Sequence, residues 1–152
     1  MELMQPENNE VLRYLSRGKE PRDTPVLAPW NSVKNPYYNC GSHPEIVERL
    51  WDQIGKSLPA NCRGLIYGCP TLTHPGTGVI LAIGIGTQYG LRLPTSLVPK
   101  AIRLGAKTHT TWSGGSRMDI QRLLGENWVF GAWLADELDW CGKAYETFGP
   151  KA

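Results

Sequence analysis

One stretch in the middle of the chain, from Cys62 to Pro94, constrains the fold most, because it alternates apolar runs with turn residues. It carries three apolar runs, Gly64–Cys69, Val79–Ile85 and Tyr89–Leu93, separated by the Pro- and Gly-rich segment Pro70–Gly78 and by Gly86-Thr87-Gln88. Runs of Ile, Leu, Val and Tyr that end at Gly and Pro are typical of strands joined by hairpins. The sequence therefore predicts an antiparallel sheet at the centre of the molecule.

Amphipathic segments before and after this stretch predict helices. The clearest begins at Ser42-His43-Pro44-Glu45, a capping box with Ser42 at the cap, and its apolar stripe runs to Ile54. The other predicted elements are a helix over Glu7–Arg17, a helix capped by Thr95 or Ser96, an edge strand over Lys107–Trp112, a helical turn over Asp119–Leu124, a strand over Trp128–Trp133 and a last helix over Leu134–Phe148.

These elements predict an α+β fold in the order α-α-β-β-β-α-(β)-β-α, with an antiparallel sheet of about four to five strands flanked by helices. A chain of 152 residues fits one domain. We therefore expect residues 1–152 to form a single domain. In it, residues 1–41 provide an N-terminal helix and a Pro-rich connector, and residues 42–148 form the α+β core.

Composition argues against several classes of protein. Apolar residues make up 41% of the chain and charged residues 20%, which is ordinary for a globular protein and argues against disorder. No run reaches the ~20 apolar residues of a membrane span, and the first residues lack a secretory signal pattern. The four cysteines include no C-x-x-C pair. We therefore expect a cytoplasmic protein with reduced thiols and no membrane partner.

Neither the glycines nor the histidines predict a cofactor site. Gly84, Gly86 and Gly90 lie between two predicted strands rather than before a helix, so hairpin geometry explains them better than a phosphate loop. A zinc site needs paired ligands at short spacing, whereas the three histidines are scattered among the cysteines. We expect no cofactor and no bound metal.

The distribution of basic residues indicates a surface for nucleic acid. Six of them lie between the third predicted strand and the helical turn: Arg92, Lys100, Arg103, Lys107, Arg117 and Arg122. Asp119 is the only acid in that segment, and Trp112 with the Ser113–Ser116 loop lies within it. Lys100, Arg103 and Lys107 recur at helical spacing and share one helix edge if the helix continues that far. Positive charge beside an aromatic residue favours phosphate contacts, and a solvated helix face is the alternative.

Several of these features occur in the order found in a known family. Between residues 46 and 148 they are the apolar helix, the strands Arg63–Gly68, Gly78–Ile85 and Tyr89–Leu93, a helix that ends at Gly105-Ala106, and a Trp-containing strand before the last helix. In this order the chain resembles the N-terminal domain family of the competence regulator TfoX and its MmcQ/YjbR-like relatives. The resemblance implies a small α+β domain without enzymatic activity, and, in some relatives, DNA binding through a two-winged surface.

The leading hypothesis is therefore a non-enzymatic cytoplasmic binding module, nucleic-acid-binding or regulatory, and two alternatives stay open. One is a dedicated binder of a protein partner, of the inhibitor or antidote type, since the chain has six Trp and an acidic last helix around Trp140. The other is a cysteine-dependent enzyme, because Cys40 precedes a helix N-terminus, which lowers a thiol pKa, and His43 could act as its base.

Overall fold

The computed structural model describes residues 3–16, 27–32, 34–38, 42–111, 117–131 and 139–148. Its strands are β1 (Leu27–Pro29), β2 (Arg63–Ile66), β3 (Cys69–Thr73), β4 (Ile80–Ile85), β5 (Gln88–Arg92), β6 (His109–Thr111), β7 (Arg117–Asp119) and β8 (Trp128–Gly131). Its α-helices are α1 (Asn9–Leu15), α2 (Pro44–Glu48), α3 (Val98–Arg103), α4 (Ile120–Leu124) and α5 (Trp140–Phe148).

Six strands of the described chain form one antiparallel sheet in the order β1-β2-β3-β4-β5-β8, and β6 pairs with β7 in a separate ribbon. The predicted α+β class and the antiparallel sheet are confirmed. The prediction of about four to five strands was too low, because β1 adds an edge strand from the segment interpreted as a Pro-rich connector, and because the first predicted strand is two strands, β2 and β3. The edge strand predicted over Lys107–Trp112 contains β6, which pairs with β7 rather than joining this sheet. Leu27 of β1 pairs with Ile66 of β2, a contact between distant parts of the sequence.

Both faces of this sheet are buried, so the molecule has three layers. On one face the helices α2, α3 and α5 pack over a cluster that contains Trp51, Trp140 and Tyr89. On the other face α1 and α4 pack over a cluster that contains Trp128 and Phe130. Burial on both faces explains why the central strands read as continuous apolar runs rather than as an alternation of apolar and polar residues.

The prediction of a single strand over Gly64–Cys69 was wrong, because this segment contains the turn of a hairpin between β2 and β3. The chain reverses at Tyr67 and Gly68, which have φ of 52° and 78°, and Ile66 then pairs with Cys69. Residues Cys69–Thr73 continue as β3, where the sequence predicted a turn over Pro70–Gly78. A bulky residue rarely adopts positive φ, so Tyr-Gly did not signal a two-residue turn.

The glycines of the next hairpin have different roles. Gly86 has φ of 60° and forms the turn between β4 and β5, as hairpin geometry predicted. Gly90, in contrast, lies inside β5 opposite Phe130 of β8, and a Cβ atom there would lie 2.5 Å from the Phe130 ring. Glycine at position 90 therefore lets the Phe130 ring lie against the backbone of β5.

The helix predicted from the Ser42 capping box begins one residue later than expected. His43 is the N-cap, and its Nδ1 accepts a hydrogen bond from the backbone N–H of Glu45 at 3.2 Å. Ser42 instead forms a β-bridge with Gly86 at the sheet. After Glu48 the helix widens into a π-helical turn over Arg49–Ile54, which places Leu50, Trp51 and Ile54 in the core.

Most of the other predicted elements are found close to their expected places. Helix α1 lies within Glu7–Arg17, and α4 is capped by Asp119. Helix α3 has Pro99 in its first turn, but neither Thr95 nor Ser96 caps it, because both lie in a 3-10 turn and Leu97 is the N-cap. Strands β6 and β8 lie within Lys107–Trp112 and Trp128–Trp133. The prediction of one continuous last helix over Leu134–Phe148 was wrong: α5 begins at Trp140, and Asp139 before it is not helical, with φ of 46°. Trp112 and residues 132–138 lie outside the described chain.

Asn8 fastens the N-terminal helix to the centre of the sheet. Its side chain is fully buried and donates hydrogen bonds from Nδ2 to the carbonyl oxygens of Leu3 and Gly78, both at 2.8 Å. Its Oδ1 accepts a hydrogen bond from the backbone N–H of Ile80 at 2.9 Å. Residues 3–16, with Val11, Leu12, Tyr14 and Leu15 buried beside Asn8, are therefore part of the core rather than an appendage to it.

We predict that Asn8→Ala lowers the free energy of unfolding by about 2–4 kcal/mol, because it leaves buried backbone groups of Gly78 and Ile80 without partners. Urea denaturation followed by circular dichroism measures the change. The neighbouring Asn9, whose side chain is exposed, provides the control: Asn9→Ala should change stability by less than about 0.5 kcal/mol. Equal losses in the two variants would contradict the role given to Asn8.

Candidate nucleic-acid interface

Strands β6 and β7 form a two-stranded ribbon that is separate from the six-stranded sheet in its pairing and contacts β8 and α4. Thr110 pairs with Met118 in the ribbon, and the loop at its tip lies outside the described residues. At the base, the backbone N–H of Ile120, the first residue of α4, donates to the carbonyl of Thr108 at 2.7 Å. His109 Nε2 lies 3.7 Å from Asp119 Oδ2 across the same end of the ribbon.

Lys107 connects this base to the edge of the large sheet. Its N–H donates to the carbonyl of Phe130 at 2.6 Å, and the Phe130 N–H donates back to the Lys107 carbonyl at 2.8 Å. The segment that enters the ribbon is thus bonded to β8 on one side and to the start of α4 on the other. Helices α3 and α4, which carry Arg103 and Arg122, contact β8 from opposite faces of the sheet, and Arg103, Lys107 and Arg122 are all exposed.

The cations along this edge are not neutralised by acidic side chains of the described chain. No salt bridge within the described residues involves Lys100, Arg103, Lys107 or Arg122. Asp119, the acid at the ribbon base, lies beside the His109 ring and accepts a hydrogen bond from the backbone N–H of Arg122. We call Arg103, Lys107 and Arg122, with the ribbon β6–β7, the basic edge. Exposed cations without an acidic partner in the described chain remain available to an anionic partner.

The structure brings only some of the six predicted basic residues to this edge. Lys100 is half-buried on α3. Lys107 does not share a helix edge with Lys100 and Arg103, because the helix ends at Arg103 and Gly105 turns the chain with φ of 116°. The backbone of Arg117 lies in β7, and its side chain is outside the described part of the structure.

Arg92 was wrongly included among the residues of this surface. Its side chain is only 8% exposed and lies over the rings of Trp128 and Phe148, at 5.2 and 5.6 Å from their centroids. Its Nη2 donates to the carbonyl of Glu7 at 2.9 Å. Burial lowers the pKa of the guanidinium to about 10, while the carboxylates of Glu7 and Glu10 act in the opposite direction. Arg92 therefore holds the N-terminal segment against the sheet and cannot reach a phosphate.

The surface predicted around Trp140 needs a similar correction. Trp140 is fully buried in the cluster beneath α5, so its ring is not available to a partner. Asp139 has φ of 46° and accepts hydrogen bonds at Oδ1 from the Ser57 hydroxyl and from the N–H of Gly142. The acids Asp136 and Glu137 lie outside the described residues.

Of the predicted catalytic pair Cys40 and His43, the structure describes only His43. His43 uses Nδ1 as the acceptor that caps α2, so this nitrogen is occupied in the folded protein. Among the described residues, Cys62, Cys69 and Cys141 are buried and form no disulfide. Burial raises the pKa of the Cys62 thiol to about 11, which disfavours the reactive thiolate there.

His74 has a structural role in the turn between β3 and β4. Its Nδ1 accepts hydrogen bonds from the backbone N–H groups of Gly76 and Thr77 at 3.0 and 3.2 Å. Its ring packs on Tyr145 of α5, with the two centroids 4.4 Å apart. Burial lowers the pKa of His74 below its ordinary value.

The described residues lack both a cluster of metal ligands and a membrane-spanning helix. They contain no group of three or more His, Cys, Asp or Glu side chains that could hold a metal ion. None of their helices has the length and apolar character required to cross a membrane.

Sequence reasoning missed a cluster around Arg63. Arg63 Nη2 lies 3.1 Å from Asp52 Oδ1 and donates to the carbonyl of Trp51 at 2.8 Å. The guanidinium lies over the Trp30 ring, and the Tyr37 hydroxyl donates to Asp52 Oδ2 at 2.8 Å. These residues come from three separate segments of the chain, and no short motif links them.

Comparison of the chain with models of protein families, with curated proteins and with solved structures finds nothing that matches it. The resemblance to the TfoX N-terminal domain family stays a prediction.

We predict that Arg92→Ala lowers the free energy of unfolding by about 2–4 kcal/mol, because it opens a gap beside Trp128 and leaves the Glu7 carbonyl without its donor. Urea denaturation measures the change. Arg103→Ala, which removes the same side chain from an exposed position, should alter stability by less than about 0.5 kcal/mol. A loss in Arg103→Ala as large as in Arg92→Ala would overturn the assignment of a structural role to Arg92.

We also predict that acid weakens the fold through His74. Because its pKa is lower in the folded protein than near 6.5 in the unfolded chain, the unfolded state binds more protons below pH 6.5. Stability should therefore fall as the pH drops from about 7 towards the folded pKa. His74→Asn keeps a side-chain acceptor for the turn without a titrating group, and its stability should change less over that range. Identical pH slopes in denaturation experiments on both proteins would contradict this role.

Proposed function

We propose that this protein binds duplex nucleic acid through the basic edge and acts as a non-enzymatic, cytoplasmic regulatory module. One observation carries the proposal: a two-stranded ribbon, separate in its pairing from the large sheet, adjoins elements whose exposed cations lack acidic partners in the described chain. The TfoX-like resemblance, which implies a two-winged DNA-binding surface in some relatives, favours the same partner.

The shape of the ribbon suits a duplex better than a single strand. The major groove of B-DNA, ~12 Å wide, admits a two-stranded β-ribbon. Proteins that read single strands on a sheet need an open face on which bases stack, and here helices cover both faces of the six-stranded sheet. Duplex DNA bound by the ribbon, with Arg103, Lys107 and Arg122 on phosphates, is therefore the partner we propose.

The binding we propose is mainly electrostatic. Three flanking cations offer phosphate contacts, whereas the side chains of the ribbon tip fall outside the described residues and supply no argument for base readout. Phosphate contacts position a protein on the duplex and carry little sequence information. We therefore expect weak sequence preference and a strong dependence on salt.

Fluorescence anisotropy of a short labelled DNA duplex tests the proposal at about 50 and 200 mM salt. The wild-type protein should bind at low salt and weaken steeply at the higher concentration. The triple variant Arg103→Glu, Lys107→Glu, Arg122→Glu should lose binding at low salt, because three phosphate contacts become repulsive. Single substitutions of these residues to Gln should each reduce the slope of log K against log salt by about 1.

The matched control carries the same change in net charge away from the basic edge. Lys34, Lys56 and Lys143 are exposed, and their triple reversal to Glu should retain most of the binding. If both triple variants lose affinity equally, the effect is one of overall charge and the basic edge is not the interface. No binding by the wild-type protein at low salt would reject the proposed function.

A further inference from the structure

A cavity of about 510 Å³ lies at the β1 side of the sheet, away from the basic edge. Its walls include Trp30, Asn31, Asn61, Cys62 and Arg63. The volume falls within the range of ~300–1,000 Å³ typical of small-molecule sites, and its lining mixes apolar side chains with a few polar groups, as such sites do. No element of the proposed DNA-binding function uses it.

Arg63 is held in place at this cavity by contacts made through a single nitrogen. Both the ion pair with Asp52 and the hydrogen bond to the Trp51 carbonyl use Nη2, and the side chain is 17% exposed. Asp52 is fixed in turn by the Tyr37 hydroxyl. The guanidinium is thus pre-positioned over Trp30, and its other nitrogens take no part in these two contacts.

The charge of the site is already balanced. Asp52 neutralises Arg63 at 3.1 Å, so a ligand that brings a full negative charge would compete with a carboxylate in place. A neutral carbonyl oxygen, in contrast, can accept a hydrogen bond from Arg63 without displacing Asp52. The site therefore favours an uncharged acceptor over a phosphate or a carboxylate.

Two amide side chains complete the set of polar groups. Asn31 and Asn61 line the cavity, are exposed, and form no hydrogen bond within the described residues. Each amide offers a donor and an acceptor side by side, which matches the amide edge of a planar heterocycle. The Trp30 indole and the guanidinium plane of Arg63 supply flat surfaces on which such a ring can stack.

We propose that this cavity is a binding site for a small, planar, uncharged heterocycle that carries an amide or a ring carbonyl. The ring stacks beside Trp30, the carbonyl accepts from Arg63, and Asn31 and Asn61 read the remaining donors and acceptors. Cys62 contributes an apolar wall and does not react with the ligand, because its thiol stays protonated. This site is separate from the basic edge and does not depend on nucleic-acid binding.

Nicotinamide is a suitable probe, with two matched molecules that each alter one feature. Nicotinate keeps the ring but carries a carboxylate, and cyclohexanecarboxamide keeps the amide but loses the flat ring. Each is titrated into the ¹⁵N-labelled full chain while amide and indole resonances are followed by NMR. Nicotinamide should give saturable shifts at Trp30, Asn61 and Arg63 with a Kd of about 1 mM or below, and the other two should bind more weakly.

Two substitutions in the cavity and one control substitution outside it test whether nicotinamide binds in the cavity. Trp30→Leu removes the stacking wall and should raise the Kd about tenfold. Ala60→Phe places a ring into the cavity from an exposed position and should block binding even if the first variant is poorly folded. Tyr38→Leu removes an exposed aromatic ring outside the cavity and should leave the Kd unchanged.

The proposal is overturned by any of three results: no saturable shift with nicotinamide, equal affinity for nicotinate, or unchanged affinity in Ala60→Phe. These outcomes are independent of the anisotropy experiment on DNA, so the two proposals fail or stand separately.

Discussion

Burial of the central sheet on both faces is the constraint on which the rest of the molecule depends. Strands β3 and β4 are enclosed between α1 and α4 on one side and α2, α3 and α5 on the other, with Trp128 and Trp51 filling opposite layers. Neither sheet face is then available to a partner. A partner of the described chain can therefore bind the outer surfaces of the helices, the sheet edges or the β6–β7 ribbon, and the Arg63 cavity lies at the β1 edge.

Much of the fold could be predicted from local sequence signals, and the exceptions have physical causes. Apolar runs bounded by Gly and Pro place β4, β5 and β8 correctly, and Asp119 marks the start of α4. The hairpin at Tyr67-Gly68 was missed because a tyrosine at positive φ is rare. Strand β1 was missed because three residues acquire their structure only by pairing with β2, far along the chain.

For the candidate sites, the sequence predicted charge but did not predict burial. Residue types determine charge directly, so the basic character of the segment from Arg92 to Arg122 could be predicted. Burial depends on tertiary packing, so Arg92 and Trp140 were assigned to surfaces although both are buried. The Arg63 cluster escaped detection for a related reason: Trp30, Asp52 and Arg63 become neighbours only when β1 joins the sheet and the π-helical turn presents the Trp51 carbonyl.

The pairing of Lys107 with Phe130 also affects how this protein behaves in a crowded solution. An open edge strand is a template on which another chain can add and start a fibril. Here Lys107 occupies backbone groups of β8 at one end of the sheet, and at the other end β1 is short and finishes at Pro29, which has no N–H to donate. Both margins of the sheet therefore resist edge-to-edge aggregation, although the strands between them are among the most apolar segments of the chain.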